Sequence, residues 1–516
     1  MTPFSKSPIW HSQDRFYATQ GIQAWNNKIP YYITNSVFYA ESCANWVISL
    51  AEAMPDRERR TFRILEVGGG SGMFAFYFIK HIRKYLINQQ NPGWDMAYVL
   101  SDFNEANLQN WQTHPWLKEF AAKGWVSFLQ LDLKAELSAL DAQLKRSPAL
   151  RESSSGPLLV VANYVLDTLP HDCFTIRKGE LQEFLLDEHF TVPAESAAAP
   201  AVFPGQNDLR EQAAVAAGHY ADPRWNAVLQ ECAARSGEQA CFTFPAGSLA
   251  FIDALQTSLA QPMLLLVADK GFSDWRGMAR ENALGLALHD NCFSMNVNFA
   301  ALEAYAAQHG GSCFLSGGES IQYGILSLGF AFDRISGMHY QLEQHWMRRN
   351  PGHFFELIQH MELLKPHVKL EVIVGLLEIT GWDPIFFAGQ FDVMLASVAY
   401  ASLPSLQNLG RNLDRIANNV FLMPGCADVF LLLGRLAMAL NDMAKAQVYF
   451  LLSSQYFPAD AERDYQMGIC AYAEEKYDMA RQFWGKAVKQ DPEHYLAHGR
   501  LAALNASGNV AREAGA

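Results

Sequence analysis

The chain has 516 residues, 50% of them hydrophobic and 18% charged, which is ordinary for a soluble globular protein and long enough that two or more domains are expected. A formal net charge of −13 without any dense Lys/Arg run speaks against a surface that wraps nucleic acid. Eight scattered cysteines without a C-x-x-C pair indicate neither a metal site nor a disulfide framework, and the lack of an apolar signal core or of a bilayer-length apolar stretch makes a cytoplasmic location, away from membranes, the expectation.

Tyr31–Met54 alternates aromatic and small residues and is expected to form a helix over the mouth of a ligand site. The apolar run Arg63–Val67 then suits a buried strand. It is followed by Gly68-Gly69-Gly70-Ser71-Gly72 and by an amphipathic helix through Phe74–Leu86. Met96–Leu100, ending at Asp102, precedes a helix over Glu105–Trp111. Trp125–Leu129 leads to Asp132 and a helix around Ala135–Leu144. Pro157–Val161 ends at Asn163, and Met263–Val267 at Asp269; Ser312–Leu315 and Gln322–Leu328 close the series. Strands alternating with helices predict an α/β fold, a mainly parallel Rossmann-like sheet covered on both faces, with ligands bound beyond the carboxyl ends of the strands. Within it, Thr191–Pro204 is low in complexity, so a flexible insertion is expected over 191–225.

After about Asp333 amphipathic helices take over, and a repeat appears with a period of 34 residues: Gly434 matches Gly468, Ala446 matches Ala480, Phe450 matches Trp484 and Pro458 matches Pro492. This is the tetratricopeptide (TPR) pattern. The glycine admits close approach of helix B, the alanine packs at the crossing, the aromatic fills the next interface and the proline ends helix B. The domains are therefore expected at 1–335 and 336–516, with clear repeats at 427–460 and 461–494, degenerate ones between about Phe354 and Leu422, and a cap over 495–516 beginning with a helix at Tyr495–Asn505.

The spacing Glu66-x-Gly68-x-Gly70-x-Gly72 does not fit a dinucleotide fingerprint, whose third glycine would fall at Met73. It resembles the first motif of the Rossmann-like S-adenosyl-L-methionine (AdoMet) methyltransferases, in which the glycines let a ligand approach the backbone and an acid lies near the ammonium end. Asp102 suits two ribose hydroxyls, with a helix N-cap as the competing role; Asp132 falls where an acid or amide meets the adenine amino group, and capping competes there too.

Asn163-Tyr164-Val165-Leu166-Asp167-Thr168-Leu169-Pro170 resembles the Asn-Glu-x-x-Asp-Ala-x-Pro segment of the MidA family. These are AdoMet-dependent methyltransferases that include a mitochondrial complex I assembly factor acting on arginine. Thr34-Asn35-Ser36 through Trp46, Phe244-Pro245-Ala246, Val267-Ala268-Asp269-Lys270-Gly271, Met295–Phe299 and Gln322–Gly329 follow in the order of that family, over roughly residues 25–335. Tyr164 stands at the place of its Glu, and Ala268-Asp269-Lys270 at that of Ile-Asp-Tyr.

The resemblance implies direct methyl transfer, with AdoMet held by Glu66, Gly68, Gly70, Gly72, Asp102, Asp132 and Asn163. Asn163, Asp167 and Asp269 are the candidates for positioning or deprotonating the acceptor, with His171 and Asp172 as further bases on the same side and His289 on a helix as either a packing residue or a base. A protein acceptor, possibly arginine and docked by the TPR-like domain, is the leading expectation. Its rivals are a small-molecule methyltransferase that uses the helices to form a homodimer and a non-catalytic AdoMet-binding scaffold.

Overall fold

The computed structural model describes residues 2–25, 32–54, 61–89, 93–151, 158–186, 209–237, 240–259, 262–272, 286–289, 292–316, 324–330, 340, 342–344, 346, 350–364 and 368–513. The chain forms two compact units, Met1–Glu356 and Leu357–Ala516. The division falls within the helix Pro351–Leu364, later than the boundary expected at 335.

The first unit is built on a seven-stranded sheet: β1 (Thr61–Val67), β2 (Asp95–Asp102), β3 (Val126–Gln130), β4 (Leu158–Asn163), β5 (Met263–Asp269), β6 (Ser312–Ser316) and β7 (Gly324–Phe330), in the order β6-β7-β5-β4-β1-β2-β3. The five strands from β5 to β3 are parallel, and β7 runs antiparallel to both β5 and β6. Continuous apolar runs make this possible. Leu158–Ala162 and Met263–Asp269 are buried along their length because helices cover both faces of a parallel sheet. The chain starts at β1, moves outward to β2 and β3, and returns to the other side of β1 as β4. The carboxyl ends of β1 and β4 therefore lie side by side at a topological switch point, where α/β sheets bind ligands. This architecture is consistent with the expected methyltransferase fold.

A second, antiparallel sheet pairs the hairpin Asp172–Arg177 and Glu180–Leu186 with Ala240–Phe244, Leu209–Ala214 and Thr2–Pro3. The sequence reading did not anticipate it. Of the expected insertion at 191–225, Thr191–Pro204 lies outside the described residues. From 209 onward the chain forms an edge strand on that sheet and the start of the helix Pro223–Ser236 rather than a loop.

The second unit is all helical: Leu370–Ile379, Pro384–Ser397, Leu403–Asn419, Val429–Ala439, Met443–Tyr456, Ala461–Ala473, Tyr477–Gln490 and Tyr495–Glu513. The sequence period has a packing cause. A Cβ on Gly434 would lie 2.3 Å from Phe450 Cε1, and one on Gly468 would lie 2.3 Å from Trp484 Nε1. Ala446 and Ala480 are fully buried at the corresponding crossings. The turns between these helices also correspond, since Asn441 and Glu475 both take positive φ (63° and 61°).

Adding a methyl group at Gly468 opposes two effects. Alanine favours a helix over glycine by about 1 kcal/mol, whereas overpacking a buried contact costs roughly 1–3 kcal/mol. Because the neighbour is the buried Trp484 indole, whose Nε1 donates to Tyr465 O at 3.1 Å, Gly468→Ala is expected to lower the urea midpoint of this unit. Gly485→Ala, with nothing within 4 Å of the added Cβ, is expected to raise it. A midpoint that rises in both variants would remove the close-packing role of Gly468.

Candidate active site

A cavity of about 560 Å³ opens at the carboxyl ends of β1 to β4. At the end of β1 the chain turns through Gly68, Gly70 and Gly72, with φ of 62°, 52° and 80°, a region that strains residues bearing a Cβ. Asp102, at the end of β2, anchors this turn. Its Oδ2 accepts from Gly70 N–H at 3.0 Å and its Oδ1 from Asn104 N–H at 2.9 Å. Gly69 N–H donates to Ser101 O at 2.9 Å, and Trp111 Nε1 donates to Gly70 O at 3.0 Å. A Cβ on Gly68 would lie 2.7 Å from Val165 Cγ2. The helix N-cap is Asn104, whose Oδ1 accepts from Ala106 N–H, so Asp102 is not the cap.

Of the expected cofactor residues, Glu66, Gly68, Gly70, Asp102, Asp132 and Asn163 line the cavity. Gly72 is absent from the lining; it begins the helix Met73–Asn88 and packs on Trp111 and Leu117. Glu66 is buried, and its Oε2 accepts from Tyr98 OH at 2.6 Å. Burial pushes its pKa up to about 8; the Tyr98 hydrogen bond opposes this and the Asp102 charge adds to it. Burial also raises the pKa of Asp102, against the pull of its backbone hydrogen bonds. Asp132 sits in a turn, its Oδ1 accepting from Lys134 N–H at 2.9 Å while its own N–H donates to Gln143 Oε1 at 2.8 Å.

The opposite wall comes from the segments after β4 and β5. Asn163 Oδ1 accepts from Tyr39 OH at 2.8 Å, and its Nδ2 is buried without a hydrogen-bond partner among the described residues. Tyr39 belongs to the helix Val37–Ala53, and Ile33, Thr34 and Asn35 just before that helix also line the cavity. Tyr164 follows in a left-handed conformation (φ 51°), with its N–H donating to Ala268 O at 2.8 Å. Asp167 is buried; its Oδ2 is 3.8 Å from Lys270 Nζ and its Oδ1 has no hydrogen-bond partner among the described residues. Burial lifts the Asp167 pKa to about 6, moderated by Lys270 and Ser294. Lys270 Nζ donates to Ser294 Oγ.

Asp269 lies behind this wall rather than on it. Its two oxygens accept from the N–H groups of Asp167 (3.1 Å) and Lys270 (2.8 Å), and burial holds its pKa well above the usual carboxylate range. It positions the two residues that do face the cavity. His171 and Asp172 are outside the lining. His171 is fully buried against Trp10, with Nδ1 2.8 Å from Leu169 O and its pKa pushed down to about 3 by burial. Asp172 accepts from Ser5 N–H and Tyr220 OH. His289 lies in the strand Leu286–His289, not on a helix as expected.

The sequence reading overlooked the N-terminal helix Ile9–Gln20, which brings Gln13, Asp14 and Tyr17 to the cavity. Lys134 Nζ donates to Asp14 Oδ1 at 2.6 Å and to Gln13 Oε1 at 3.1 Å, and Asn104 Nδ2 donates to Tyr17 O at 2.8 Å. Ile9, Trp10, Gln13 and Phe16, the buried face of this helix, were visible at helical spacing.

Residues 42–284 match the model of a family described as "Putative S-adenosyl-L-methionine-dependent methyltransferase". No curated protein matches the chain. Two solved structures from Burkholderia thailandensis are similar at 14% identity, each over 64% of this chain and 88% of the other. One is an uncharacterized superfamily protein (TM-score 0.38), and the other a superfamily member and "likely methyl transferase" bound to S-adenosyl-homocysteine (TM-score 0.40).

The lining fits AdoMet, the cofactor of the matched family. The ligand carries an ammonium, a sulfonium and a ribose diol, and five carboxyl residues (Asp14, Glu66, Asp102, Asp132 and Asp167) line the cavity. Each oxygen of Asp102 accepts one backbone N–H. The buried Asn163 Nδ2 is a donor that awaits an acceptor.

Gly68→Val adds a side chain where φ is positive and Val165 is already in the way, so calorimetry should detect no AdoMet binding by a variant that keeps its far-ultraviolet spectrum. Glu66→Gln should weaken binding roughly 10–100-fold by removing a charge-assisted contact. The same change should stabilise the ligand-free protein. With its pKa raised, Glu66 holds its proton more tightly when folded, so wild-type stability declines as pH rises from the unfolded value towards 8, and the glutamine variant escapes that decline. The stability difference should therefore grow between pH 5 and 8; a constant difference would mean that Glu66 ionises freely. Most of the cavity is thus built by residues matched to an AdoMet-dependent methyltransferase family, with AdoMet as its cofactor.

Proposed function

We propose that the protein transfers a methyl group from AdoMet to a side chain of another protein, which the helical unit recruits. The observation that carries the reading is the cavity, with the glycine turn tied to Asp102 on one wall and Asn163 and Asp167 on the other, within residues matched to the methyltransferase family. AdoMet supplies an already activated sulfonium methyl, so the protein's tasks are alignment, exclusion of water and removal of the acceptor's proton. Asn163, held by Tyr39, orients the acceptor, and Asp167 takes its proton.

A protein acceptor is supported by the 34-residue recurrence of Gly434/Gly468, Phe450/Trp484 and the Asn441/Glu475 turns, which fits TPR-like repeats, a class of surface that holds peptides. The ordered series of MidA-like segments supports the same type of enzyme. Its arginine acceptor carries over less readily, because Tyr164 stands where that family has Glu.

Removing residues 368–516 should raise KM for the protein acceptor while leaving the AdoMet Kd unchanged; an unchanged KM would end the recruiting role. Mass spectrometry of a cell extract given labelled AdoMet should find the label in protein rather than in metabolites. Only the ionised Asp167 accepts a proton, so kcat/KM should rise with pH through about 6. Asp167→Asn should lose about 10²- to 10⁴-fold together with that limb of the profile.

A further inference from the structure

We propose that the wall formed after β4 and β5 selects an uncharged protic acceptor, a hydroxyl or carboxamide, and that Lys270 is the residue that turns a guanidinium away. The inference rests on the methyltransferase reading above and names the group that receives the methyl.

A guanidinium carries five N–H donors in a planar fork and is held best by carboxylates that offer both oxygens. Among the described residues this wall offers one carboxylate, half engaged. Asp167 Oδ2 faces Lys270 Nζ at 3.8 Å, which leaves Oδ1 as the oxygen without a hydrogen-bond partner. Asp269 cannot supply a second, because both its oxygens accept backbone N–H groups and it lies behind the wall. A guanidinium placed here would leave several donors unmet in a buried site, beside an ammonium of the same sign.

An uncharged acceptor meets the two partnerless atoms one for one. It donates one proton to Asp167 Oδ1, the only proton of a hydroxyl or one of the two of a carboxamide, and its oxygen accepts from Asn163 Nδ2, whose amide is oriented by the Tyr39 hydroxyl on the other end. In the transfer, the acceptor heteroatom bonds to the methyl carbon as the S–CH₃ bond breaks, with its electron pair staying on sulfur, and the acceptor's proton passes to Asp167 Oδ1. Lys270, fixed by Ser294 and by the backbone hydrogen bond to Asp269, stays beside Asp167 Oδ2 throughout.

The test uses the full-length protein saturated with S-adenosyl-homocysteine and four probes, the side-chain analogues of glutamine, serine, arginine and lysine (propionamide, methanol, propylguanidine and butylamine), with binding followed by saturation-transfer NMR. Parallel assays with labelled AdoMet use peptide pools carrying each of these residues at one fixed position. Glutamine or serine should bind and be labelled at least about tenfold more than arginine or lysine. Preference for arginine or lysine, or binding of none of the four probes, overturns the proposal. If an uncharged probe binds but no peptide pool is labelled, the proposal stands and the protein-acceptor reading fails. Lys270→Glu, which replaces the repelling charge with a second carboxylate, should shift preference towards arginine, a change that a merely damaged site would not produce. Lys270→Arg should keep the original order. A preference that Lys270→Glu leaves unmoved removes Lys270 as the selector.

Discussion

The site depends on the desolvation of carboxylates at the ends of parallel strands. Asp102 is buried where the charged form is costly, and it is kept useful by two backbone N–H groups that it simultaneously holds in place. The same contact ties down the glycine turn, since Gly70, in a left-handed conformation, presents its N–H to Asp102. Cofactor wall and backbone turn are therefore one arrangement, and neither can be altered alone. Glu66 repeats the theme with a hydrogen bond from Tyr98, and burial raises its pKa to about 8.

The facing wall uses the same currency of buried charge for another purpose. Asp269 spends both oxygens on the backbone of Asp167 and Lys270, so it shapes the wall from behind. Asp167 and Asn163, which line the cavity, each keep one buried atom that has no hydrogen-bond partner among the described residues. Such an atom carries a desolvation cost that a bound ligand can relieve. The strained Tyr164 backbone between them is compatible with such a site, since strain persists where surrounding structure enforces it.

Much of the first unit was legible from apolar periodicity. The seven core strands follow the runs from Arg63–Val67 to Gln322–Leu328, because a strand buried on both faces must be apolar throughout. The antiparallel sheet escaped notice because polar residues such as Asp172, Thr175, Gln182 and Glu183 interrupt the apolar runs of its strands; its one clear signal was the Lys178-Gly179 hairpin turn, with both residues at positive φ. The role expected for Gly72 rested on spacing alone, and spacing cannot distinguish a glycine that faces a ligand from one that faces Trp111. Asp269 and His171 were placed near the site by their position after strands, yet burial and hydrogen bonding turn them away from the cavity.

By itself the sequence determined where the core strands of the main sheet lie, that an acid and alternate glycines sit at the end of the first of them, and that a 34-residue period falls near the end of the chain, since all of these are local or periodic properties. Only the tertiary structure decided which carboxyl groups face the cavity, that the N-terminal helix closes over it, and that Lys270 stands against Asp167. Those facts depend on contacts between residues far apart in the chain, where the desolvation of each charge is set by neighbours that no local pattern encodes.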